Sequence, residues 1–361
     1  MRLITITFLA ALTACSASRV SVPLTDWTKP AENPILKADA QYKFFCPVKQ
    51  DTVHWQQADV FNPAAIVRNG RIHLLYRCED NPKAMLGGRT SRIGLAVSED
   101  GIHFEKRAEP VLYPEPGADL EWDYPGGCED PRVVEAPDGT YVMTYTSWNG
   151  KVARLTTAFS RDLEHWVKNG PAFAKAYDGR FNLDWSKSGS IITSMQDGRP
   201  KAMRIDGKFW MLWGERFINL AWSENLHDWT PLLDAKRELL QVVRTRPGKF
   251  DSDLTECGPP AILTDKGILL LFNGKNATDE RADPSIPRGA YCVGWMLFDP
   301  KDPKKLLARA DQPFLRPTLP HEVTGQYQAG TTFSEGLVRF KNKWWLYYGT
   351  ADSYVGLATH D

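Results

Sequence analysis

Short apolar segments rich in aromatic residues alternate with polar turns along this chain, and one such unit recurs five times. The turns lie at residues 70, 139, 207, 267 and 342, so successive copies are 69, 68, 60 and 75 residues apart. The segments that follow them are IHLLYR (72–77), YVMTYT (141–146), FWMLW (209–213), ILLLF (268–272) and WWLYYG (344–349). A supersecondary unit that recurs at such intervals is typical of a repeat architecture, so a set of similar blades is predicted.

Further strands are predicted on both sides of these segments. Proline opens the upstream strands, because a proline nitrogen cannot donate to a neighbouring strand; they are AAIVR (64–68), RVVEA (132–136), KAMRI (201–205) and AIL (261–263). The downstream strands include GLAVSEDGIHF (94–104), TTAFSRDLEHW (156–166) and NLAWSENLHDW (219–229). The pattern predicts an all-β fold, a five-bladed β-propeller with an N-terminal extension and long loops. An open β-sandwich is the alternative, but its strands would not recur in triplets.

The N-terminus has the pattern of a secretory signal. Residues 1–14 combine a short positive region with an apolar region, and Leu12-Thr13-Ala14-Cys15 resembles a bacterial lipoprotein cleavage box. We expect lipidation of Cys15 and an outer-membrane lipoprotein of the bacterial periplasm or cell surface; an ordinary signal peptide is the alternative. Residues 15–40 would form a tether or strap, and residues 41–361 the propeller. No internal segment is apolar enough over a bilayer's thickness, so membrane contact is expected only through the lipid anchor.

Charge and cysteine content narrow the classes of partner. The chain has 44 basic and 44 acidic residues, which gives no reason to expect a nucleic-acid partner. The cysteines after Cys15 have no zinc-type spacing, and their odd number leaves any disulfide pairing open; they are Cys46, Cys78, Cys128, Cys257 and Cys292. We therefore expect neither a metal nor a cofactor. Nothing in the sequence indicates the oligomeric state.

The candidate site consists of polar residues that enter the innermost strands. In a propeller these strands line the channel, so such residues converge at one mouth; they are Asn62, Glu129, Asp130, Glu256 and Glu335. Glu215 and Arg216 follow an apolar strand, where they either form a structural ion pair or face the channel. Several carboxylates in a pocket lined by aromatic residues suit glycoside cleavage, which needs one acid and one further carboxylate. Positive groups that could hold hydroxyls or an anion are Arg77, Arg92, Lys187 and Arg216.

Several motifs resemble family 130 of the glycoside hydrolases and phosphorylases. They are GGCEDPR (126–132), SRIGLAVSEDGIHF (91–104), the GPP turn (258–260), RGAYCVGWMLFDPKDPKKLLAR (288–309) and YYGTADSYVGLA (347–358). The resemblance implies a five-bladed propeller that acts on β-mannosides with inversion. It also implies that Asp130 is the catalytic acid, which in the phosphorylases is thought to act through a hydroxyl of the mannose. Asp352 would bind the nonreducing mannose.

Two departures from the family pattern favour hydrolysis. Glu215-Arg216 stands where the phosphorylases typically carry His-Arg, and Glu256 stands where they have a neutral residue before the GPP turn. At about 4 Å and an effective dielectric of about 20, each contact of phosphate with a carboxylate costs roughly 4 kcal/mol per unit charge. We therefore expect an exo-acting, inverting hydrolase that releases mannose from β-mannoside oligosaccharides, with β-1,2 linkages. Glu215 and Glu256 would activate water, without an indication of which is the base.

The expected substrate-binding residues are Asn62, Arg77, Arg92, Lys187, Arg216 and Asp352. Two alternatives to hydrolysis stay open. In the first, Arg92, Arg154 and Lys187 still bind phosphate, and the protein is a mannoside phosphorylase that produces mannose 1-phosphate. In the second, the chain is a noncatalytic, surface-anchored glycan-binding lipoprotein, although binding alone does not need three such acids at the channel mouth.

Overall fold

The computed structural model describes residues 21–361 except residue 23 and residues 85–87. Its regular structure is nearly all β, with one four-residue helix, α1 (Leu120–Asp123), and two 3₁₀ turns, Ala176–Gly179 and Pro320–Glu322. A small hairpin of β1 (Phe44–Cys46) and β2 (Asp51–Val53) precedes the blades. The predicted signal segment and Cys15 lie outside the described residues. In the part of the chain that is described, no helix has the length and apolar content needed to cross a membrane.

The first two blades are regular antiparallel sheets of four strands. Blade 1 contains β3 (Asp59–Arg68), β4 (Arg71–Glu79), β5 (Ser91–Ser98) and β6 (Glu105–Lys106). Blade 2 contains β7 (Gly127–Glu135), β8 (Tyr141–Trp148), β9 (Ala153–Ser160) and β10 (Trp166–Pro171). In each blade the predicted aromatic-rich segment is the second strand, directly after its polar turn.

Blades 3 and 4 have interrupted inner strands. In blade 3, β11 (Ser190–Ile191) and β14 (Arg204–Ile205) pair with β15 (Lys208–Trp213), and β16 (Ile218–Ser223), β17 (Thr230–Pro231) and β18 (Gln241–Val243) follow. In blade 4, β19 (Leu254–Cys257) and β20 (Ile262–Thr264) pair with β21 (Gly267–Lys275), followed by β22 (Tyr291–Phe298) and β23 (Leu306–Arg309).

A hairpin inserted in blade 3 lies across the far end of the channel. It consists of β12 (Thr193–Gln196) and β13 (Arg199–Ala202). Its two strands make parallel pairs with the first residue of β20 and the last residue of β7, and the Gly198 carbonyl accepts a hydrogen bond from the Arg339 amide of blade 5. The predicted inner strand 201–205 is therefore wrong in part, because residues 201–202 belong to this hairpin and only 204–205 pair with β15.

Blade 5 closes the ring with help from the N-terminal segment. Its strands are β24 (Phe333–Phe340), β25 (Lys343–Thr350) and β26 (Tyr354–His360), and β24 packs against β3 of blade 1. On the outer edge, Thr28 and Leu36 form antiparallel bridges to Thr359 and Val355 of β26. Residues from opposite ends of the chain thus share one sheet.

Five apolar cores fill the five interfaces between neighbouring blades. Alternate side chains of one strand serve two different cores, as Leu74 and Leu75 of β4 do, since successive residues of a strand point to opposite faces. In β21, Leu270 packs towards blade 3 and Leu271 towards blade 5. Every blade is thereby buried on both faces, which confirms the predicted five-bladed propeller. The cysteines of the described residues are all buried and free.

Candidate active site

A pocket of about 430 Å³ opens at the end of the channel where the inner strands begin. It brings together eight of the residues expected from the sequence, namely Asn62, Arg77, Glu129, Asp130, Lys187, Glu215, Glu256 and Asp352. Its walls include the aromatic side chains Phe61, Trp148, Trp185, Tyr291, Tyr327 and Phe333. Apolar walls around a few convergent polar groups are typical of small-ligand sites.

Irregular backbone turns the polar side chains towards the axis. Asn62 and Asp130 each precede a proline at a register shift in the inner strand, with φ of 47° and 50°. Asp352 and Ser188 also have left-handed backbones, with φ of 52° and 58°. Such conformations cost about 1–3 kcal/mol each in a residue with a Cβ and cluster at functional sites. Gly349 lets Asn62 approach, because a Cβ there would lie 1.9 Å from the Asn62 Oδ1.

Asp130 lies at the centre of the pocket among hydrogen-bond donors and cations. Its Oδ1 accepts hydrogen bonds from Asn62 Nδ2 at 2.8 Å and from Arg77 at 3.2 Å. Its Oδ2 lies 3.5 Å from the Lys187 ammonium. Burial alone would raise the pKa of Asp130, but Arg77, Lys187 and the Asn62 hydrogen bond hold it below its ordinary value. Asp130 is therefore a carboxylate in the unliganded protein.

Lys187 bridges Asp130 and Glu256. Its Nζ is 3.4 Å from Glu256 Oε1, and the same oxygen accepts a short hydrogen bond from the Ser188 hydroxyl. Burial raises the pKa of Glu256, and Lys187 opposes this shift. Burial would lower the pKa of Lys187, but the surrounding carboxylates raise it well above its ordinary value. The two bridged carboxylate oxygens lie no more than about 7 Å apart, since one nitrogen contacts both.

Glu215 also acts electrostatically on Lys187 and lies at a partly exposed wall of the pocket. Its Oε2 accepts a 2.5 Å hydrogen bond from the indole N–H of Trp185. The Trp185 ring is half exposed and meets the ring of Trp148 edge to face at 5.6 Å. A carboxylate held by one N–H keeps free lone pairs, so Glu215 can still accept a proton from water.

Arg77 donates hydrogen bonds to three carboxylates in and beside the pocket. It donates to Glu79 at 2.7 Å, to Glu129 at 2.8 Å and to Asp130. Burial raises the pKa of Glu129 to about 7, although Arg77 opposes this shift. Burial likewise raises the pKa of Asp352 to about 7 against the effect of Arg77. The site can therefore hold protons close to neutral pH without protonating Asp130.

Beneath the pocket, Arg132 ties three blades together. Its buried guanidinium donates to the carbonyls of Cys257 and Gly258, both at 2.7 Å, and to the carbonyl of Asp130 at 3.2 Å. It also lies 3.1 Å from Glu335, a fully buried carboxyl whose pKa burial raises well above its ordinary value. Arg132 thus links the backbone of Asp130 to the residues that follow Glu256.

The structure places two expected binding residues outside this pocket. Arg92 is fully buried in the third strand of blade 1, where it pairs with Asp80 at 2.9 Å. The expectation that Arg92 holds substrate does not fit this position, since third strands lie away from the axis. Arg216 is exposed and faces an adjoining cleft of about 190 Å³ that shares Trp185, Lys187 and Glu215 with the pocket.

The sequence motifs do not indicate Trp185, Ser188 or Trp148 as site residues. Trp185 and Ser188 lie in the connection between blades 2 and 3, outside the repeated strands. A weak signal existed nonetheless, because the tryptophan stands two residues before the expected Lys187. In the described part of the chain, no group of three or more His, Cys, Asp or Glu side chains is placed to hold a metal ion.

Glu129 gives the site a pH-dependent contribution to stability. Its pKa of about 7 lies above the ordinary value of 4.5, so the folded protein keeps a proton that the unfolded chain releases. This contribution is complete below pH 4.5 and is lost as the pH rises through 7. We expect Glu129→Gln to reduce the fall in unfolding free energy between about pH 5 and pH 7.5 by about 1–2 kcal/mol, measured in urea. An unchanged fall, equal to that of the surface control Glu99→Gln, would contradict this.

Comparison with known proteins identifies the family. The family model Glyco_hydro_130, described as beta-1,4-mannooligosaccharide phosphorylase, matches residues 28–361. The chain belongs to glycoside hydrolase family 130. This confirms the resemblance found in the sequence motifs. A member of this family acts on glycosides, and the family fold is the five-bladed propeller described above.

Relatives of this family 130 protein include both phosphorylases and hydrolases. A 1,2-beta-oligomannan phosphorylase of Thermoanaerobacter sp. strain X514 is 32% identical over 311 residues, which cover 84% of this chain and 90% of that protein. A glycosyl hydrolase from Bacteroides ovatus is 46% identical, with a TM-score of 0.91 over 95% of this chain and 96% of that one. Another solved structure, with 47% identity and a TM-score of 0.92, covers 95% of this chain and 97% of its own. It was described with the statement that this family of mannoside phosphorylases contains glycoside hydrolases that target β-1,2 mannosidic linkages in Candida mannan.

Proposed function

We propose that this protein is an exo-acting, inverting glycoside hydrolase that releases mannose from β-1,2-linked mannosides. The observation that carries this proposal is the charge of the pocket. Among the described residues that line it, five have carboxyl groups and two, Arg77 and Lys187, are cationic. Two of the five, Glu129 and Asp352, are partly protonated near neutral pH, and the other three acids still outnumber the cations. Both cations are already paired with acidic groups at 2.7–3.5 Å. A phosphate dianion would meet uncompensated repulsion here, whereas a water molecule would meet groups able to deprotonate it.

The reaction uses carboxylates on opposite sides of the scissile bond. Asp130 is a carboxylate before substrate binds, so it must first take up a proton, which the neighbouring carboxyls of Glu129 and Asp352 can supply because their pKa values are about 7. Asp130 then passes this proton to the glycosidic oxygen, directly or through a mannose hydroxyl, and the bond from the anomeric carbon to that oxygen breaks. Water attacks the anomeric carbon from the other face and loses a proton to Glu215 or Glu256. Inverting enzymes usually separate the two carboxyls by about 6.5–9.5 Å and retaining enzymes by about 5–5.5 Å, and the limit of about 7 Å between Asp130 and Glu256 oxygens is compatible with both.

The proposed exo action follows from the shape of the channel. The hairpin of β12 and β13 lies across its far end, so substrate would enter and leave at one mouth. A pocket with one opening accepts the end of a saccharide chain rather than its middle. Asp352, Asn62 and Arg77 then lie where they can hold the hydroxyls of the terminal mannose.

The similarity to a hydrolase with a solved structure supports the same proposal. The glycosyl hydrolase from Bacteroides ovatus is 46% identical to this chain, whereas the 1,2-beta-oligomannan phosphorylase is 32% identical. Mannoside phosphorolysis is the second candidate function, because Lys187 lies in the pocket and the phosphorylase relative spans most of the chain. The proposed location is the periplasm or cell surface, through lipidation of Cys15.

Incubation of the purified protein with β-1,2-mannobiose, with and without inorganic phosphate, tests the proposed function. We expect free mannose at equal rates in both conditions, since no phosphate takes part. Proton NMR during the first turnovers should show α-mannose, because inversion of a β-glycoside gives the α-anomer. Mannose 1-phosphate formed only with phosphate would instead establish a phosphorylase. Tight binding of mannobiose without any product would establish the glycan-binding alternative.

A further inference from the structure

One short segment contacts every carboxylate that the proposed function uses. The segment, residues 185–188, has the sequence Trp-Ser-Lys-Ser and connects blade 2 to the inner strand of blade 3. Trp185 donates to Glu215, Lys187 lies against Asp130 and Glu256, and Ser188 donates to Glu256. The three carboxylates come from three different stretches of chain, yet their partners are almost consecutive.

The backbone of this segment is fixed to the strands on both sides. The Ser186 amide donates to the Ala153 carbonyl at 3.0 Å, which ties the segment to β9 of blade 2. The Lys187 carbonyl accepts a hydrogen bond from the Gly214 amide, also at 3.0 Å, directly before Glu215. The Gly214 carbonyl in turn accepts from the Cys257 amide, directly after Glu256. A displacement of the segment would therefore move its carboxylate partners as well.

The orientation of Ser188 depends on an unfavourable backbone. Its φ of 58° lies in the left-handed region, which serine rarely adopts, and this conformation aims the hydroxyl at Glu256. The Ser188 side chain is almost completely buried, so water does not compete for this hydrogen bond. Strain of this kind persists where the surrounding structure enforces it. Here the enforcing contacts are the backbone hydrogen bonds at Ser186 and Lys187.

We propose that Trp185 and Ser188 are positioning residues that orient Glu215 and Glu256, respectively, for the activation of water. This inference rests on the proposed function, because it assigns water activation to the two glutamates. Each residue would act through the carboxylate that accepts its hydrogen bond. Donors that fix a carboxylate in one orientation remove the rearrangement that would otherwise precede proton transfer.

The variants Trp185→Phe and Ser188→Ala test the two contacts separately. Trp185→Phe keeps an aromatic ring but removes the N–H, and Ser188→Ala removes the hydroxyl. We expect kcat on β-1,2-mannobiose to fall by about 10- to 100-fold in the variant whose lost hydrogen bond held the catalytic base, Glu215 or Glu256. The KM of that variant should change by less than about threefold. The matched controls are Trp210→Phe and Ser223→Ala, also in blade 3. Trp210 donates to the Ile205 carbonyl and Ser223 accepts from backbone amides, so both controls should keep the kcat of the wild type.

A second readout separates positioning from general weakening of the fold. The Ser188 hydrogen bond lowers the pKa of Glu256, so its loss raises that pKa. If Glu256 must be ionised, the acidic limb of the kcat–pH profile moves to higher pH in Ser188→Ala. The other titratable groups that act on Glu256 are Lys187, Glu215, Arg132, Glu335, Tyr291 and Cys257. None of them is altered in this variant, and a purely structural loss would lower the melting temperature without moving the limb.

The outcomes distinguish this inference from the proposed function. Wild-type kcat in both folded variants would overturn the positioning roles even if the wild type hydrolyses mannobiose. Strict phosphate dependence of the wild type would overturn the proposed function, and with it the assignment to water activation. If one of the two variants does not fold, the kcat of the other variant still tests the inference, because each variant removes only one hydrogen bond.

Discussion

Asp130→Asn is expected to lower kcat for β-1,2-mannobiose by about a thousandfold or more, with KM changed only a few-fold. Amide and carboxylate have the same shape, and Asn62, Arg77 and Lys187 surround the position on all polar sides. The amide cannot deliver a proton, however, and general acid catalysis contributes roughly 10²- to 10⁴-fold. Steady-state kinetics with β-1,2-mannobiose measure this loss.

The loss in Asp130→Asn should depend on the leaving group. An aryl β-mannoside with a strongly acidic phenol departs without protonation, so its cleavage should suffer much less than that of mannobiose. The control is Glu135→Gln at the other end of β7, where the carboxylate pairs with Arg199 at 2.7 Å. We expect that control to keep the wild-type kcat. Equal losses on both substrates would show that Asp130 holds the substrate rather than protonating it.

The blades could be predicted from the sequence because each one repeats a strong local pattern. Polar turns followed by apolar strands such as WWLYYG give both the strands and their order. The hairpin of β12 and β13 was missed although Asp197-Gly198 is a turn sequence of the same kind. It interrupts an inner strand, and nothing in the repeat predicts an insertion there. The closed end of the channel was therefore not predictable.

The acids of the site were predictable where they precede the inner strands. Asp130 and Glu256 enter their strands at equivalent places, and blade geometry brings equivalent places together at the axis. The prediction that Arg92 binds substrate rested on its positive charge alone. Arg92 lies in the third strand of its blade, away from the axis, where it pairs with Asp80. Trp185 and Ser188 were missed because their orientation depends on a left-handed turn and on contacts with distant chain segments.

The pocket also shows why this fold tolerates so many buried acids. Arg77 and Lys187 each contact more than one carboxylate, so each cation offsets several desolvation costs at once. Arg132 adds a third cation beneath them and fixes backbone carbonyls on two blades. In the proposed function, the acidic groups that remain in the pocket are the feature that favours water over phosphate.

Glu215→Gln and Glu256→Gln are expected to abolish most turnover while the fold is retained. Each glutamine keeps the shape of the side chain and its ability to accept the hydrogen bond from Trp185 or Ser188, but it cannot take a proton from water. We expect the variant that lacks the base to lose about 10²- to 10⁴-fold in kcat. Melting temperatures close to that of the wild type would show that the loss is chemical. Near-wild-type rates in both variants would contradict the assignment of water activation to these glutamates.

Azide distinguishes the base from its neighbour. Azide is already a nucleophile and needs no deprotonation, and the neutral glutamine removes one charge that would repel it. In the variant that lacks the base, azide should therefore restore cleavage and give α-mannosyl azide, since attack still comes from the face opposite the leaving group. The other variant should gain little, because its water is still activated but poorly placed. β-Mannosyl azide in either variant would contradict inversion and would require a covalent intermediate instead.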